Sequence, residues 1–456
     1  MKFIKKITAL VTAVVISLQG FCMTSLAEEE MRGIWVSTVV NLDYPTTPTA
    51  SADSLKAQAD EVIAGCAGMG INNIFLQVRP SSDAFYSSSV YPWSSYLTGT
   101  QGTAPEDGFD PLEYWVSACH AKGIKLHAWI NPYRVTVSND ESDTEYNKLA
   151  DNNPAKLHPD YIIKYSNNQY YFDPGLPEVR SLLVEGALEI VNNYDVDGIH
   201  MDDYFYPGTG FGDSETFAKY GSGFTSIEAW RRNNVDLLIQ ELDTQLHEAD
   251  PDIEFGVSPS GIWANKTTSS EGSATSGNES YTNLFADTRK WAQNEWLDYI
   301  APQIYWNIGY TIADYEVLVN WWANQLENSS TKLYIGMATY RSYDAASSSV
   351  WYGTDEIARQ LAMNRTIPKI TGEIHFRYGM VKGNSQMASF LTSYYGGTSS
   401  EVSDSQITEE ETEAETEVQT EAAIEEVTEA AAETPAETVT EAPVTTIKFT
   451  AMTAYY

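Results

Sequence analysis

The chain has 456 residues, and its 63 Asp and Glu side chains outnumber its 27 Lys and Arg, giving a formal net charge of −36 at pH 7. A phosphate backbone requires a basic surface, so this charge argues against nucleic acid as a partner. The length allows a sizeable hydrophobic core. The sequence contains no phosphate-binding loop, no dinucleotide fingerprint and no Cys/His zinc pattern, and we therefore expect neither a cofactor nor a bound metal.

The N-terminal segment, residues 1–27, has the pattern of a secretory signal peptide. Three lysines fall among the first six residues, an apolar run covers residues 7–18, and residues 25–27 form a small-residue cleavage site. The apolar run is too short to span a bilayer comfortably, so the mature chain should have no transmembrane span. A lipid anchor on Cys22 is the less favoured alternative, because bulky Phe21 precedes it. The sequence thus predicts a protein exported to the cell envelope or secreted.

Eight short apolar runs predict β-strands along the chain. Between them, apolar residues recur every three or four positions, as at Leu55, Ala59 and Val62, which is the spacing of one helix face. Strands alternating with helices favour parallel strands covered by helices, and eight such units favour a closed (β/α)8 TIM barrel; an open doubly wound sheet is the alternative. The predicted strands cover residues 33–39, 71–78, 124–131, 196–202, 253–258, 299–305, 333–339 and 373–377.

Local residues also predict two helix starts and the state of the cysteines. Asp53 is placed to cap the first helix, and a later helix should begin at Pro177. Cys66 and Cys119 each lie on the apolar stripe of a predicted helix. Because a large core needs no covalent staple, we expect buried free thiols rather than a disulfide.

The connections between predicted elements differ in length. Returns from helix to strand are short, whereas the strand-to-helix connections over residues 80–109, 132–173 and 204–225 are long and rich in aromatic residues. Loops of this length are uncommon without a role. Function is therefore expected at the carboxyl ends of the strands, where these loops meet.

The C-terminal segment has a different composition. Residues 401–456 contain fifteen acidic residues and one lysine among Thr, Ala and Val, which predicts a disordered, solvated spacer. A specific binding segment is the alternative. The sequence therefore divides into a signal peptide, a barrel domain over residues 28–400 and an acidic tail.

Two adjacent carboxylates end the fourth predicted strand. Alternate side chains of a strand share a face, so His200 and Asp202 should point the same way, into the mouth of the barrel. Asp203 follows where the strand ends, so both acids can reach one cleft. Paired acids at a strand end of a barrel suggest sugar hydrolysis. The alternative is that one of them caps a loop or pairs with an arginine of the rim.

Other strand ends carry amides, hydroxyls, guanidinium groups and aromatic rings. Such groups suit a sugar, which offers apolar faces for stacking and hydroxyls for hydrogen bonds. Singly, each could be a core residue, but together at equivalent strand ends they favour a polysaccharide site. The predicted substrate-binding residues are Gln77, Arg79, Trp129, Asn131, Tyr133, His200, Tyr204, Ser258, Gln303, Tyr305, Trp306 and Arg377.

Several motifs resemble the glycosyl hydrolase-like family 10, a bacterial group of secreted or envelope-associated barrel proteins. The resemblance covers roughly residues 31–395. It implies glycoside hydrolysis, with at least one member type acting on peptidoglycan glycan strands stripped of stem peptides. The motifs that carry it are Met31-Arg-Gly-Ile-Trp-Val36, Phe75-Leu-Gln-Val-Arg-Pro80, His127-Ala-Trp-Ile-Asn-Pro-Tyr133, Gly198-Ile-His-Met-Asp-Asp-Tyr-Phe-Tyr-Pro207, Gly256-Val-Ser-Pro-Ser-Gly-Ile-Trp263 and Tyr299-Ile-Ala-Pro-Gln-Ile-Tyr-Trp306.

The sequence leaves two catalytic mechanisms open. A glycosidase normally needs a second carboxylate about 5 to 9.5 Å from the first, yet the fifth to seventh strands end without one. Adjacent aspartates resemble the substrate-assisted hexosaminidases, which implies that Asp202 orients the 2-acetamido group of the sugar and Asp203 donates the proton. In the alternative, Asp202 is a nucleophile or electrostatic stabiliser opposite a loop acid. The loop acids available are Asp43, Asp83, Glu106, Glu271 and Glu279.

A non-catalytic polysaccharide-binding protein would use a similar cleft. The adjacent Asp202 and Asp203 argue against it, because a pure binding protein gains little from a costly cluster of like charges. A polysaccharide deacetylase is disfavoured because the six histidines show no metal-ligand spacing.

Overall fold

The computed structural model describes residues 29–139 and 141–396, so the predicted signal peptide and acidic tail lie outside the described residues. Its main sheet is parallel throughout, and the last strand pairs with both the first strand and the seventh. The sheet is therefore closed, which confirms the eight-stranded barrel and excludes the open sheet. The strands are β1 Met31–Val36, β2 Asn73–Arg79, β3 Lys125–Ile130, β4 Gly198–Met201, β5 Glu254–Val257, β6 in two pieces Tyr299–Ile300 and Gln303–Ile304, β7 Lys332–Met337 and β8 Ile370–His375.

Eight helices of 6 to 23 residues, one after each strand, cover the barrel. Ser51, not Asp53, caps the first of them: its side chain accepts a hydrogen bond from the Ser54 amide, and Asp53 lies inside the first turn. The predicted start at Pro177 is confirmed. The eight helices are α1 Ala52–Gly68, α2 Pro111–His120, α3 Pro177–Asn193, α4 Ile227–Ala249, α5 Thr288–Gln293, α6 Tyr315–Gln325, α7 Asp355–Asn364 and α8 Ser385–Gly396.

The long connections lie after the strands, as predicted. The one after β3 contains an antiparallel pair of short strands, Ile162–Lys164 and Tyr170–Phe172. Among the described helices, none is long and apolar enough to cross a membrane. Further helical segments of three to seven residues in the connections cover Val39–Asn41, Ser95–Thr98, Glu106–Gly108, Thr144–Asn147, Pro154–Leu157, Pro159–Tyr161, Ser214–Tyr220, Ser280–Asn283, Thr339–Ser342 and Tyr378–Gly383.

Cys66 and Cys119 are buried free thiols, as expected. Both contribute to the layer between barrel and helices. Burial raises the pKa of each thiol above its ordinary value, so both stay protonated and behave as small apolar side chains.

Rings fill the interior of the barrel and form the floor of its mouth. The strands make room for them with glycine: a Cβ atom on Gly198 would lie 2.2 Å from His127 Nδ1, and one on Gly256 would lie 2.2 Å from Tyr299 Cε2. Burial lowers the pKa of His127 to about 4 and that of His200 well below its ordinary value. Both imidazoles are thus neutral packing groups at pH 7.

Candidate active site

Asp202 follows the last residue of β4, and its side chain is only 3% exposed. Trp129 Nε1 donates to Asp202 Oδ2 at 3.1 Å, and Asn131 Nδ2 donates to the same oxygen. The backbone amide of Tyr204 donates to Oδ1 at 3.2 Å. Three N–H donors aimed at one carboxyl group favour its ionised form.

A chain of hydrogen bonds fixes which end of Asn131 faces Asp202. The backbone amides of Thr38 and Val39 both donate to Gln77 Oε1 at 3.0 Å. Since a backbone N–H can only donate, the Gln77 amide nitrogen must point the other way, and it donates to Asn131 Oδ1 at 2.7 Å. The Asn131 nitrogen is then directed at Asp202. We call the path from the Thr38 amide through Gln77 and Asn131 to Asp202 the donor relay.

Arg134 stabilises the end of the donor relay. Its Nη2 donates to Asn131 Oδ1 at 3.1 Å, and its Nε and Nη2 both donate to the Pro80 carbonyl, at 2.9 and 2.6 Å. Its guanidinium carbon also lies 4.8 Å from the centre of the Tyr204 ring. This arginine was not among the predicted site residues, although it lies only three residues after the third predicted strand. Its position just beyond the strand end was the available signal.

Asp203 has a different environment from its neighbour. The side chain is half-buried, and Gln303 Nε2 donates to its Oδ1 at 3.3 Å and to the Ser258 carbonyl at 2.8 Å. Burial and the negative charge of Asp202 both raise the pKa of Asp203. Burial also raises the pKa of Asp202, but the charge of Arg134 and the N–H donors oppose that rise. Asp203 therefore holds its proton more firmly than Asp202 does.

Aromatic side chains lie beside the pair. Tyr204 is 37% exposed. Burial raises the pKa of Tyr305 above its ordinary value, and the negative charges of Asp203 and Asp202 add to that rise. Trp306 is half-buried and borders Gly261, where a Cβ atom would lie 3.1 Å from its ring. Of the predicted residues, Tyr204, Tyr305 and Gln303 lie close to the carboxylate pair, and Trp306 follows the end of β6.

Gln77, Trp129 and Asn131 were predicted to contact substrate, and the structure gives them another role. All three are almost fully buried and are joined by hydrogen bonds to one another or to Asp202. They position the carboxylate from below rather than face the cleft.

Arg79 turns away from the site, so the prediction of a substrate contact is wrong. The register between β2 and β3 shifts by one residue after Gln77, so Arg79 pairs with Ile130 and faces the helices. Its guanidinium lies 4.7 Å from the centre of the Tyr91 ring, and a Cβ atom on Gly186 of α3 would lie 2.5 Å from its Nη1. A bulge of this kind reverses the alternation on which the prediction rested.

His200 and Ser258 lie below the site. Trp35 Nε1 donates to His200 Nε2 at 3.1 Å, and the Tyr299 hydroxyl lies 3.0 Å from His200 Nδ1. Ser258 Oγ lies 2.9 Å from His200 Nε2. Both side chains are buried and support the floor of the mouth, so neither contacts substrate as predicted.

Tyr133 and Arg377 also have structural roles. Tyr133 is buried in the layer outside the barrel. Arg377 forms an ion pair with Asp43 and donates to the Leu42 carbonyl at 3.2 Å. The prediction for Arg377 failed because its partner lies in the connection after β1, far away in sequence.

Several of the acids in the loops already have partners. Glu279 accepts hydrogen bonds from the Asn265 amide at 2.9 Å and from Thr268 Oγ1 at 2.6 Å, and these donors hold its pKa below the ordinary value despite burial. Asp43 is paired with Arg377, and exposed Glu271 lies 3.4 Å from Arg289. In the described ranges there is no cluster of three or more His, Cys, Asp or Glu that could hold a metal ion.

A closed (β/α)8 barrel whose fourth strand ends in two hydrogen-bonded carboxylates is the framework of a glycoside hydrolase. The chain matches the family described as glycosyl hydrolase-like 10 over residues 30–352, and it belongs to that family. The resemblance seen in the sequence motifs is thereby confirmed, and the chain is assigned to the glycoside hydrolases.

Two relatives carry the same class of name. Glycosyl hydrolase YngK of Bacillus subtilis is 40% identical over 365 residues, which cover 78% of this chain and 69% of that protein. Glycosyl hydrolase DigH of Escherichia coli strain K12 is 38% identical over 393 residues, which cover 82% of this chain and 89% of that protein.

Two solved structures share the fold. The glycoside hydrolase domain of PgaB from Bordetella bronchiseptica has a TM-score of 0.51 at 12% identity, over 80% of this chain and 98% of that chain. The endo-β-1,4-mannanase from Thermotoga petrophila has a TM-score of 0.50 at 11% identity, over 83% of this chain and 79% of that chain. At these identities the likeness concerns the barrel alone.

Proposed function

We propose that this protein is an exported glycoside hydrolase that cleaves a cell-wall polysaccharide, namely peptidoglycan glycan strands, whose sugars carry 2-acetamido groups. The observation that carries the proposal is the unequal environment of Asp202 and Asp203. Three N–H groups donate to Asp202, which suits a permanent acceptor. The raised pKa of Asp203 suits a proton donor near neutral pH.

In the proposed reaction, Asp202 accepts a hydrogen bond from the acetamido N–H and turns the acetamido oxygen toward the anomeric carbon. That oxygen attacks as the glycosidic C–O bond breaks, and Asp203 transfers its proton to the departing oxygen. Water then opens the cyclic intermediate while Asp203 takes a proton back. The acetamido group is restored, and no second protein carboxylate has to act as a nucleophile.

The loop acids support this choice over a direct nucleophilic role for Asp202. Glu279 accepts hydrogen bonds from several groups of its own loop, and Asp43 is held by Arg377 and two backbone amides. An acid that already stabilises a loop is poorly placed to change its protonation during catalysis. With Glu279 and Asp43 unsuited to act opposite Asp202, the substrate-assisted route, which needs only Asp202 and Asp203, is favoured.

The deciding experiment compares matched glycan strands. Purified protein is incubated with peptide-free peptidoglycan strands and with the same strands after removal of the acetyl groups, and the products are identified by mass. The proposal expects cleavage of the acetylated strands only, and tight inhibition by thiazoline mimics of the cyclic intermediate, which resemble the transition state. Efficient cleavage of deacetylated strands would instead support Asp202 as a nucleophile, and a fluorosugar would then trap a covalent adduct on it.

Binding without any cleavage would support the alternative of a polysaccharide-binding protein. We consider it less favoured, because burying two like charges side by side is costly and gives a binding protein nothing in return.

Export is part of the same proposal. Residues 1–27 would be removed as a signal peptide, which would bring the enzyme to the compartment where its polymer is found. Mass measurement of the protein released by cells would give an N-terminus at Glu28 if this is correct.

Residues 401–456 would act as a solvated spacer, so truncation at Ser400 should leave the thermal midpoint unchanged.

A further inference from the structure

Arg341 lies at the mouth of the barrel in the helical turn Thr339–Ser342, directly after β7. Its guanidinium carbon is 5.6 Å from the centre of the Tyr340 ring and 5.5 Å from that of Trp351. Two rings against one guanidinium restrict its movement and hold it in a defined position. The side chain is half-buried, so part of it still faces solvent.

Most other arginines of the described chain form an ion pair with a carboxylate, but Arg341 does not. Its Nε is buried without a hydrogen-bond partner, and no carboxylate in the described part of the chain forms an ion pair with it. By contrast, Arg365 lies 3.5 Å from Glu30, and Arg377 is paired with Asp43. Partial burial of an unpaired cation costs free energy, which an incoming anion would recover.

A path of rings connects Arg341 to the carboxylate pair. The Tyr340 ring lies 5.7 Å from that of Tyr305, which follows Gln303 by two residues, and Gln303 Nε2 donates to Asp203 Oδ1 at 3.3 Å. On the other side, Trp351 is followed by Tyr352, which is 57% exposed and can stack on a sugar. Arg341 and the carboxylate pair thus lie at the same end of the barrel, which a glycan of several units would span.

We propose that Arg341 binds the carboxylate of a sugar next to the cleaved bond. In a peptidoglycan strand that group is the lactyl carboxylate of muramic acid, which carries a free negative charge only when no peptide is attached to it. The inference rests on the proposed function, because it assumes that polymer as substrate. The planar guanidinium can form two parallel hydrogen bonds to a carboxylate, which neither an amide nor a lysine can reproduce.

The net charge of the protein does not oppose this assignment. The chain carries −36 overall and would repel an anion at long range. At physiological ionic strength, charges separated by more than about 8 Å are largely screened, so the nearest groups decide. A carboxylate bound to Arg341 would have that guanidinium as its closest charge, so the proposed site does not need a basic surface around it.

The test uses oligosaccharides of equal length with either a free lactyl carboxylate or a neutral lactyl amide. Binding is measured by calorimetry with Asp202→Asn as the parent, so that cleavage does not interfere. Adding Arg341→Gln should weaken binding of the free acid by about 10- to 100-fold, the usual worth of a charged hydrogen-bonded pair, and leave the amide unchanged. Arg341→Lys keeps the positive charge but cannot form two parallel hydrogen bonds, so it should lose part of the preference for the free acid over the amide.

Arg365→Gln is the matched control. That arginine also lies against a ring, 4.3 Å from the centre of Tyr394, but it already has Glu30 as its partner and lies near the start of β1. Its replacement should affect neither ligand. Thermal midpoints of all variants show whether each one is folded.

The outcomes separate the inference from the proposed function. Equal losses on acid and amide, or no loss on either, would overturn the role of Arg341 even if the wild type cleaves both. Selective loss on the acid without any cleavage by the wild type would support the role of Arg341 and remove the proposed hydrolysis. Failure of both oligosaccharides to bind would overturn the inference as well.

Discussion

The two sides of the barrel mouth are built by different means. On the side of β2 to β4, Gln77, Asn131 and Asp202 are buried and joined by hydrogen bonds that begin at backbone amides. On the side of β6 to β8, rings contact one another around Arg341, whose charge has no carboxylate partner among the described residues. The first side has its partners before a ligand arrives, whereas the second leaves a partner to be supplied. Preorganised hydrogen bonds suit chemistry, and open rings and cations suit recognition.

Asp202→Asn should have the largest effect, because it changes the carboxylate on which the hydrogen bonds of the β2 to β4 side converge. We expect a loss of at least about 100-fold in kcat, because an amide cannot orient the acetamido group or stabilise developing positive charge. If the new amide oxygen faces Trp129 and Asn131, its nitrogen meets the Tyr204 amide, another donor, so a modest loss of stability should accompany the change. Product analysis and thermal unfolding measure the two effects. Wild-type turnover on every glycan that the parent cleaves would remove Asp202 from the mechanism.

Asp203→Asn should show that the two aspartates have different protonation states during catalysis. In the proposed mechanism Asp202 is ionised and Asp203 is protonated; burial raises the pKa of both, and the charge of Asp202 raises that of Asp203 further. The rate should therefore rise as pH passes the lower pKa and fall as it passes the higher one, with a maximum between them. In the variant the alkaline limb should vanish, and kcat should drop about 100-fold or more on natural glycans only. A leaving group that needs no proton should restore most of the rate, and its failure to do so would contradict the role.

Gln77→Leu should weaken the donor relay without touching the substrate. Asn131 would lose the bond that fixes its orientation, so Asp202 would lose a reliable donor, and we expect kcat to fall about tenfold with little change in KM. The acid limb of the pH profile should move upward. Gln58→Leu is the matched control, since Gln58 also accepts a backbone amide, that of Thr46, from the connection after β1, but it lies half-buried on α1 rather than inside the barrel. Equal effects of the two changes would show that the donor relay has no specific part in catalysis.

Glu373→Gln should change the pH dependence of the stability of the fold without affecting either side of the mouth. Glu373 lies on β8 toward the helices, Asn364 Nδ2 donates to it at 3.1 Å, and burial raises its pKa from 4.5 to about 8. Because the folded state holds this proton more firmly than the unfolded state, the stability it contributes is complete below pH 4.5 and lost as pH rises toward 8. The variant should unfold a few degrees higher above pH 8 and at the wild-type temperature near pH 4.5. The same gain at both pH values would contradict the assignment.

The sequence predicted the fold well because apolar periodicity and loop length are local signals. It also placed Asp202, Gln77 and Asn131 correctly at the mouth, since all three extend the interior-facing alternation of their strands. It could not show that Gln77 and Asn131 act on Asp202 rather than on a substrate. That distinction depends on amide orientation, which backbone donors from another strand decide.

The errors concentrate where alternation stops. A one-residue bulge directs Arg79 toward the helices, and Arg377 forms an ion pair with Asp43, which lies in a loop far away in sequence. Arg134 and Arg341 were not among the predicted site residues, because they lie just past strand ends, where periodicity no longer indicates the direction of a side chain. Their roles depend on contacts between segments far apart in the chain, which spacing along a single sequence does not reveal.

The hydrogen bond from Trp129 Nε1 to Asp202 makes the site observable without any substrate. An indole proton bonded to a carboxylate shifts its NMR resonance when that carboxylate gains or loses charge, so one nitrogen-attached signal should follow the ionisation of Asp202. Trp129→Phe would identify the signal by removing it. The same signal should respond when an oligosaccharide displaces water from the carboxylate. Trp129 is thus a built-in spectroscopic probe of the Asp202 carboxylate.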